Sequence, residues 1–440
     1  MLLFLLVLGA AASIYLVRRS GVLSPAAVTS LFATITLLQF WLVVDLRVYP
    51  QYVQGFRYVE ESYHAVRVQV ALYLVVVSLL AVLARQLAER SELGRAKQAM
   101  LSGLGLRSFR YSSFGSIKLA PWMYFFVGAL VVLLVCHSIF ADWALLYEHT
   151  VYLMVRDPVS MGMDGTLLGY LHRLVLLVGF VLLGFFSLAL FKKDPLLSSL
   201  AFIGLLYCFV IAVAFNSRTA ALYLAVLALL IFSGGKRARL ISVGLGALAL
   251  ATYFAVLIPR RIANTYGINA FLESFGYIGE VGQLALFALY NSFGGGFVVA
   301  EALQSPDLYY PIKYKILSFS PFPSLIDGFD DVREQGHRIS VFAPYGGLSE
   351  ALLFGWQYVV FFYTAIFWML YSLEKGVVRT GNDFLMLALP IILYINSRLY
   401  VYPLRQLVRW MFLAVTVSWF FTRYKGRGRK VGRSLYNEAG

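Results

Sequence analysis

The feature that most constrains this chain is a succession of apolar blocks, each close to the roughly 20 residues a helix needs to cross a bilayer. They lie near 2–17, 23–44, 68–84, 119–141, 166–191, 197–215, 219–233, 240–258, 350–372, 384–400 and 406–422. A soluble protein of this length cannot hide so many blocks in one core. The composition agrees, with 60% of residues hydrophobic and 13% charged. Disorder and coiled coils both need many more charges. The expected fold class is therefore an all-α polytopic membrane protein with about 11 transmembrane helices, in a range of about 10–14. Cys136 and Cys208 sit inside apolar blocks and read as packing residues, with no disulfide framework or CxxC site.

The net charge of +15 would suggest nucleic acid on a soluble protein. On a membrane protein, Lys and Arg collect in cytoplasmic loops instead, so the partner implied is the lipid bilayer and not nucleic acid. Residues 85–118 hold seven Lys/Arg against two Glu, whereas 142–165 hold Asp142, Glu148, Asp157 and Asp164 against Arg156. Lys192, Lys193, Lys236, Arg237, Arg239 and the basic tail from Arg423 to Arg433 all fall on the side of the 85–118 loop if eleven spans alternate. That places the N-terminus outside and the C-terminus inside. The first block lacks a positive n-region and its charges, Arg18 and Arg19, follow it, so it reads as an uncleaved span.

Four regions result: a bundle of about eight spans over 1–258, a large external loop over 259–349, C-terminal helices over 350–422, and a basic tail over 423–440. The loop holds 6 of the 13 prolines and 16 aromatics, too many for a disordered linker. Its piece 283–303 is apolar but interrupted by Gly294–Gly296, which leaves open a helix on the membrane, a re-entrant element or a true span. A large folded loop with its own helices is the preferred reading.

Ionisable residues in or beside spans are functional candidates because they are expensive there. Arg218, in FNSRTAALYLAVLALLIF, lies at the external mouth of the seventh span. It is either a snorkelling arginine or an anion ligand. Its side of the membrane, against the positive-inside trend, and the adjoining helix N-terminus favour an anion, with phosphate matching the guanidinium fork. Arg260 and Arg261 follow Pro259 on the same face, as interfacial anchors or as further phosphate ligands. In GHRISVFAPYGGLSEALLFGW, His337 is a solvated loop residue or a general base. Glu350 in the same stretch is a dipole-stabilising first-turn carboxylate or a base, with Ser349 or the Gly346–Gly347 pair as the cap. Arg398, Arg405 and Arg409 flank the last two spans at near-helical spacing, though Pro403 interrupts the stripe; they are lipid anchors or substrate ligands. His172–Arg173 is a similar pair of lower weight. Asp330–Asp331 reads as a solvated turn, and no Walker A, GxGxxG, HExxH, GxSxG or DxD-type metal pair occurs, so no cofactor and no metal is expected.

Two stretches resemble a known family. SRTAALYLAVLALL resembles the Arg-x3-Leu signature of the O-antigen polymerase and ligase superfamily of bacterial inner-membrane proteins, here Arg218 to Leu222. GGLSEALLFGW resembles the start of the span after the large periplasmic loop in oligosaccharide repeat-unit polymerases, where a Gly-rich turn, a Glu and a Gly recur; here they are Gly346, Gly347, Glu350 and Gly355. The layout is similar over nearly the whole chain. His337 resembles the ligase His motif in position alone.

The resemblance implies a GT-C-like membrane glycosyltransferase of the bacterial inner membrane with its active site facing the periplasm. Its substrates would be undecaprenyl-diphosphate-linked oligosaccharides, joined without metal into a surface polysaccharide, with a chain-length regulator as a further partner. Arg218 with Arg260 or Arg261 would hold the leaving diphosphate, and Glu350 or His337 would position or deprotonate the acceptor hydroxyl. Arg398 and Arg405 join the substrate-binding candidates. The rival readings are an O-antigen ligase, acting on lipid A–core, and a non-enzymatic flippase of lipid-linked oligosaccharide. A flippase would show charges through mid-membrane cavities and inverted symmetry, whereas here the charges gather at one mouth.

Overall fold

The computed structural model describes residues 1–48, 60–96, 121–232, 236–258, 265–276, 292–321, 336–340, 343–380 and 382–419. Arg260, Arg261, Asp330, Asp331, residues 97–118, 283–291 and the tail from 423 lie outside them. In chain order the elements are α1 (Leu2–Ser20), α2 (Pro25–Val44), α3 (Glu60–Ala96), α4 (Pro121–Phe140), α5 (Trp143–Tyr147), α6 (Leu167–Lys192), α7 (Pro195–Ala214), α8 (Thr219–Phe232) and α9 (Lys236–Leu257). They continue with α10 (Ile268–Glu273), α11 (Gly295–Leu303), α12 (Ile312–Ser318), a short hairpin of β1 (Arg338–Ser340) and β2 (Ala343–Pro344), α13 (Gly347–Phe354), α14 (Trp356–Thr380) and α15 (Asn382–Arg398). A last helix, α16, covers 404–419.

The protein is an all-α membrane protein, with 8 helices long and apolar enough to cross a bilayer among the described residues. Two more, Thr219–Phe232 and Phe384–Arg398, are apolar but shorter. At 1.5 Å per residue, α8 is about 21 Å long, less than the roughly 30 Å hydrocarbon core. Every block anticipated as a span is largely helical in its described residues. The block over 350–372 differs in being broken: Gly355, at φ +119°, turns the chain between α13 and α14. That left-handed backbone is open to glycine at little cost and closed to most other residues.

The chain divides into two compact units, one of residues 1–106 and 289–440, the other of residues 107–288. In the first, α1, α2 and α3 pack together, α14 lies along α3, and α15 packs on α2 and α14. The nine-residue α11 is buried along its length and packs on α2, α3 and α13. At about 14 Å it is too short to span. It starts at the Gly294–Gly296 run that interrupts the apolar block in the sequence. In the second unit, α6 and α7 pair, α8 and α9 pair, and α4 covers α6 and α7.

One end of the first unit is tied by a buried ion network. Arg85 donates to Glu374 at 2.6 Å and to Glu89 at 2.8 Å, and Arg19 donates to Glu89 at 2.8 Å. The other Glu374 oxygen accepts from the Ala26 N–H at 2.7 Å, in the first turn of α2. Arg85, Glu89 and Glu374 are all buried. Arg85 and Glu89, assigned by sequence to a loop, lie inside α3, because they pair with each other and with opposite charges on other helices, Glu374 for Arg85 and Arg19 for Glu89.

Candidate functional site

In the first unit, three distant stretches of sequence converge on Glu350. The chain enters α13 through Gly346, where an added Cβ would lie 1.9 Å from the Tyr400 carbonyl oxygen. This contact brings the 344–350 segment against the 398–403 turn and places Glu350 in the first turn of α13, as expected from the sequence. The capping residue is Gly346, with no side-chain cap; Ser349 Oγ is buried without a hydrogen-bond partner. The Glu350 carboxyl group is 2% exposed. One oxygen accepts from the Tyr314 hydroxyl at 3.0 Å and the other from the Leu404 N–H at 2.7 Å.

Leu404 follows Pro403 and opens α16, so its N–H has no partner within that helix. The carboxylate thus sits at two helix N-termini at once, α13 and α16, where the backbone dipoles favour negative charge. Arg405, the next residue, interacts electrostatically with both Glu350 and Tyr314. Burial nevertheless dominates and pushes the Glu350 carboxyl up to about 7, with the Leu404 and Tyr314 hydrogen bonds and the Arg405 charge pulling the other way. Burial also raises Tyr314 and Tyr310 above the ordinary phenol range.

Helix α12 lies against α13. Besides the Tyr314 bond, Lys315 Nζ donates to the Phe354 carbonyl at 3.1 Å, satisfying the C-terminal end of α13. Tyr310 packs edge-on to Phe354 at 5.0 Å and to His337 at 4.8 Å. His337 Nε2 lies 2.8 Å from the Tyr309 carbonyl, so Nε2 carries the proton and Nδ1 keeps its lone pair. His337, Tyr310, Tyr314, Glu350 and Arg405 form one connected group. Arg398 stands apart from the hydrogen bonds of this group: its guanidinium lies over the rings of Tyr402 at 4.0 Å and Tyr394 at 4.5 Å.

In the second unit, Arg218 occupies the corner between α7 and α8. The corner is locked by Asn216, whose φ of 45° is left-handed and whose Oδ1 accepts from the Gly267 N–H at 2.8 Å. Ser217 Oγ accepts from the Thr219 N–H at 3.3 Å and caps α8. The Arg218 carbonyl accepts from Leu222, so Arg218 opens the helix. Arg156 reaches the same corner, donating to the Phe215 carbonyl at 3.2 Å with its guanidinium over the Phe215 ring at 5.6 Å.

Beneath this corner runs a chain of ring nitrogens. Tyr207 meets His137 Nδ1 at 2.5 Å, His137 Nε2 meets His172 Nδ1 at 2.9 Å, and His172 Nε2 meets the Val155 carbonyl at 2.8 Å. A carbonyl only accepts, which fixes every proton: His172 Nε2–H donates to Val155, His137 Nε2–H to His172, and Tyr207 O–H to His137. His172 and Arg173, adjacent in sequence, diverge here, since Arg173 is exposed and pairs with Asp164 at 3.6 Å.

Sequence reasoning missed Tyr310, Tyr314, Arg156, His137 and Tyr207, and it singled out His172 only as a near-membrane pair with Arg173. All are polar residues inside apolar or aromatic stretches, whose partners come from other elements. No family model, curated protein or solved structure matches the chain.

Proposed function

We propose that the protein is a membrane glycosyltransferase that joins undecaprenyl-diphosphate-linked oligosaccharides into a surface polysaccharide at the periplasmic face of the inner membrane. The observation that carries this reading is the convergence of His337, Glu350 and Arg405 in the first unit. It puts a proton acceptor of fixed tautomer and a guanidinium in one connected group. Of the two candidate bases, His337 has the geometry for the acceptor hydroxyl. Its Nε2–H is held by a backbone carbonyl, which leaves Nδ1 to take the proton. The bond formed joins that hydroxyl oxygen to the anomeric carbon of the donor glycan. The bond broken releases lipid diphosphate, which carries its negative charge to arginine.

Both substrates of a polymerase carry a lipid diphosphate, so two anion-binding positions are needed. The two units each hold an arginine group beside a helix N-terminus, Arg405 at α16 and Arg218 at α8. Arg260 and Arg261 join Arg218 in the proposal by sequence alone.

Purified protein, mixed with lipid-linked repeat units and given neither nucleotide sugar nor metal, should form a glycan ladder. Intact monomer in the presence of folded protein would remove the reading. Arg218→Ala should cut ladder formation by about 100-fold or more at unchanged membrane levels. Ladders at the wild-type rate would return Arg218 to a snorkelling role. In cells, a polymerase null leaves lipid A–core bearing one repeat unit, whereas a ligase null leaves none.

A further inference from the structure

We propose that Glu350 is a positioning residue: it pins the first turn of α16 so that Arg405 faces the lipid-linked diphosphate, and it takes no proton from the acceptor. This rests on the reading of Arg405 as a diphosphate ligand.

The geometry of the carboxyl group argues for it. Each oxygen already accepts one protein hydrogen bond, from Tyr314 and from Leu404. Glu350 is 2% exposed, so an incoming hydroxyl reaches neither oxygen unless Tyr314 or the Leu404 turn moves. What the Leu404 bond does is specific. Pro403 breaks the chain before α16, and the carboxylate reaches across the break to the first N–H of the new helix. Arg405 is the next residue, so rotation or fraying of that turn moves its guanidinium directly. Gly346 and Tyr314 hold the other side: the first brings α13 against the Tyr400 carbonyl, the second ties the carboxylate to α12. Glu350 is thereby clamped from α12 and α13 and transmits that fixed position to α16. The elevated carboxyl pKa fits the same role, since the protonated form can donate to Tyr314 while still accepting from Leu404.

The test compares Glu350→Gln, Glu350→Ala, Arg405→Ala and the E350A/R405A double variant of the full-length protein. Glutamine keeps an oxygen for the Leu404 N–H and an amide for Tyr314, but it cannot act as a base. With lipid-linked repeat units as substrate, Glu350→Gln should keep kcat within about 5-fold, with an unchanged pH profile. Glu350→Ala should raise KM as far as Arg405→Ala does. The double variant should be no worse than Arg405→Ala within about 2-fold, because both changes remove one interaction. A loss of about 100-fold or more in kcat for Glu350→Gln at unchanged KM and melting temperature would overturn the proposal. So would losses that multiply in the double variant.

Direct binding of farnesyl diphosphate separates this from the polymerase reading. Weakened binding in Glu350→Ala and Arg405→Ala but not in Glu350→Gln supports the positioning role even if no ladder forms. Equal binding by wild type and all variants overturns it. A wild type that binds this probe yet forms no ladder sinks only the polymerase reading.

Discussion

At the scale of single residues, Gly346 and Glu350 carry the sharpest consequences. Gly346→Ala would drive a methyl group into the Tyr400 carbonyl, a backbone atom that cannot swing aside. Overpacking of this kind costs about 1–3 kcal/mol or more, and thermal unfolding in detergent should show it. The Glu350 carboxyl is raised from 4.5 to about 7 by burial, against the pull of Tyr314, Leu404 and Arg405. The folded state then binds the proton more tightly than the unfolded chain does. The stability this supplies is complete below about 4.5 and is lost as pH rises through about 7, on the order of 3 kcal/mol in all. Glu350→Gln should flatten that pH dependence; an identical slope in both proteins would mean that the carboxyl group titrates normally. The place of Glu350 in a first helical turn was legible in the sequence, because GGLSE is a local pattern. Its partners were not, since Tyr314 lies 36 residues upstream and Leu404 lies 54 downstream. Nothing local in either stretch marks a hydrogen bond to a carboxylate.

At the scale of elements, apolar length predicted the helices and failed at their ends. Charge was taken to mark where a helix leaves the membrane, and α3 shows why this misleads. Arg85 and Glu89 continue the helix because each meets an opposite charge inside the bundle. Removing Glu374 leaves the buried Arg85 to share one carboxylate, Glu89, with Arg19, an uncompensated positive charge in the network, so Glu374→Ala should cost about 3–5 kcal/mol. Replacing Arg85, Glu89 and Glu374 together by apolar residues of similar volume should recover most of that loss. Chemical denaturation of the single and triple variants measures both, and a triple variant less stable than the single one contradicts this account. The status of α11 was equally illegible. Of the apolar piece 283–303, residues 283–291 lie outside the described ones, and nothing in the sequence marks the nine residues of α11 as buried against α2, α3 and α13.

At the scale of the whole molecule, the membrane class was readable from composition and block length alone, since few other environments accept such a chain. The two-unit division was not, because the first unit is assembled from both ends of the sequence. The proposed orientation can be checked with single cysteines. One placed in the 142–165 segment should react with an impermeant reagent added outside spheroplasts, and one in the basic 97–118 segment should react only after lysis. The reverse pattern would invert the molecule and move Arg218 to the cytoplasmic side. The ion network at one end of the first unit has a consequence of another kind. Its two arginines and two glutamates sum to zero. One elementary charge crossing a 100 mV potential changes energy by about 2.3 kcal/mol, and moving this cluster as a whole would move no net charge. The cluster that ties α1, α3 and α14 together at that end therefore gives the membrane voltage no net charge of its own to pull on.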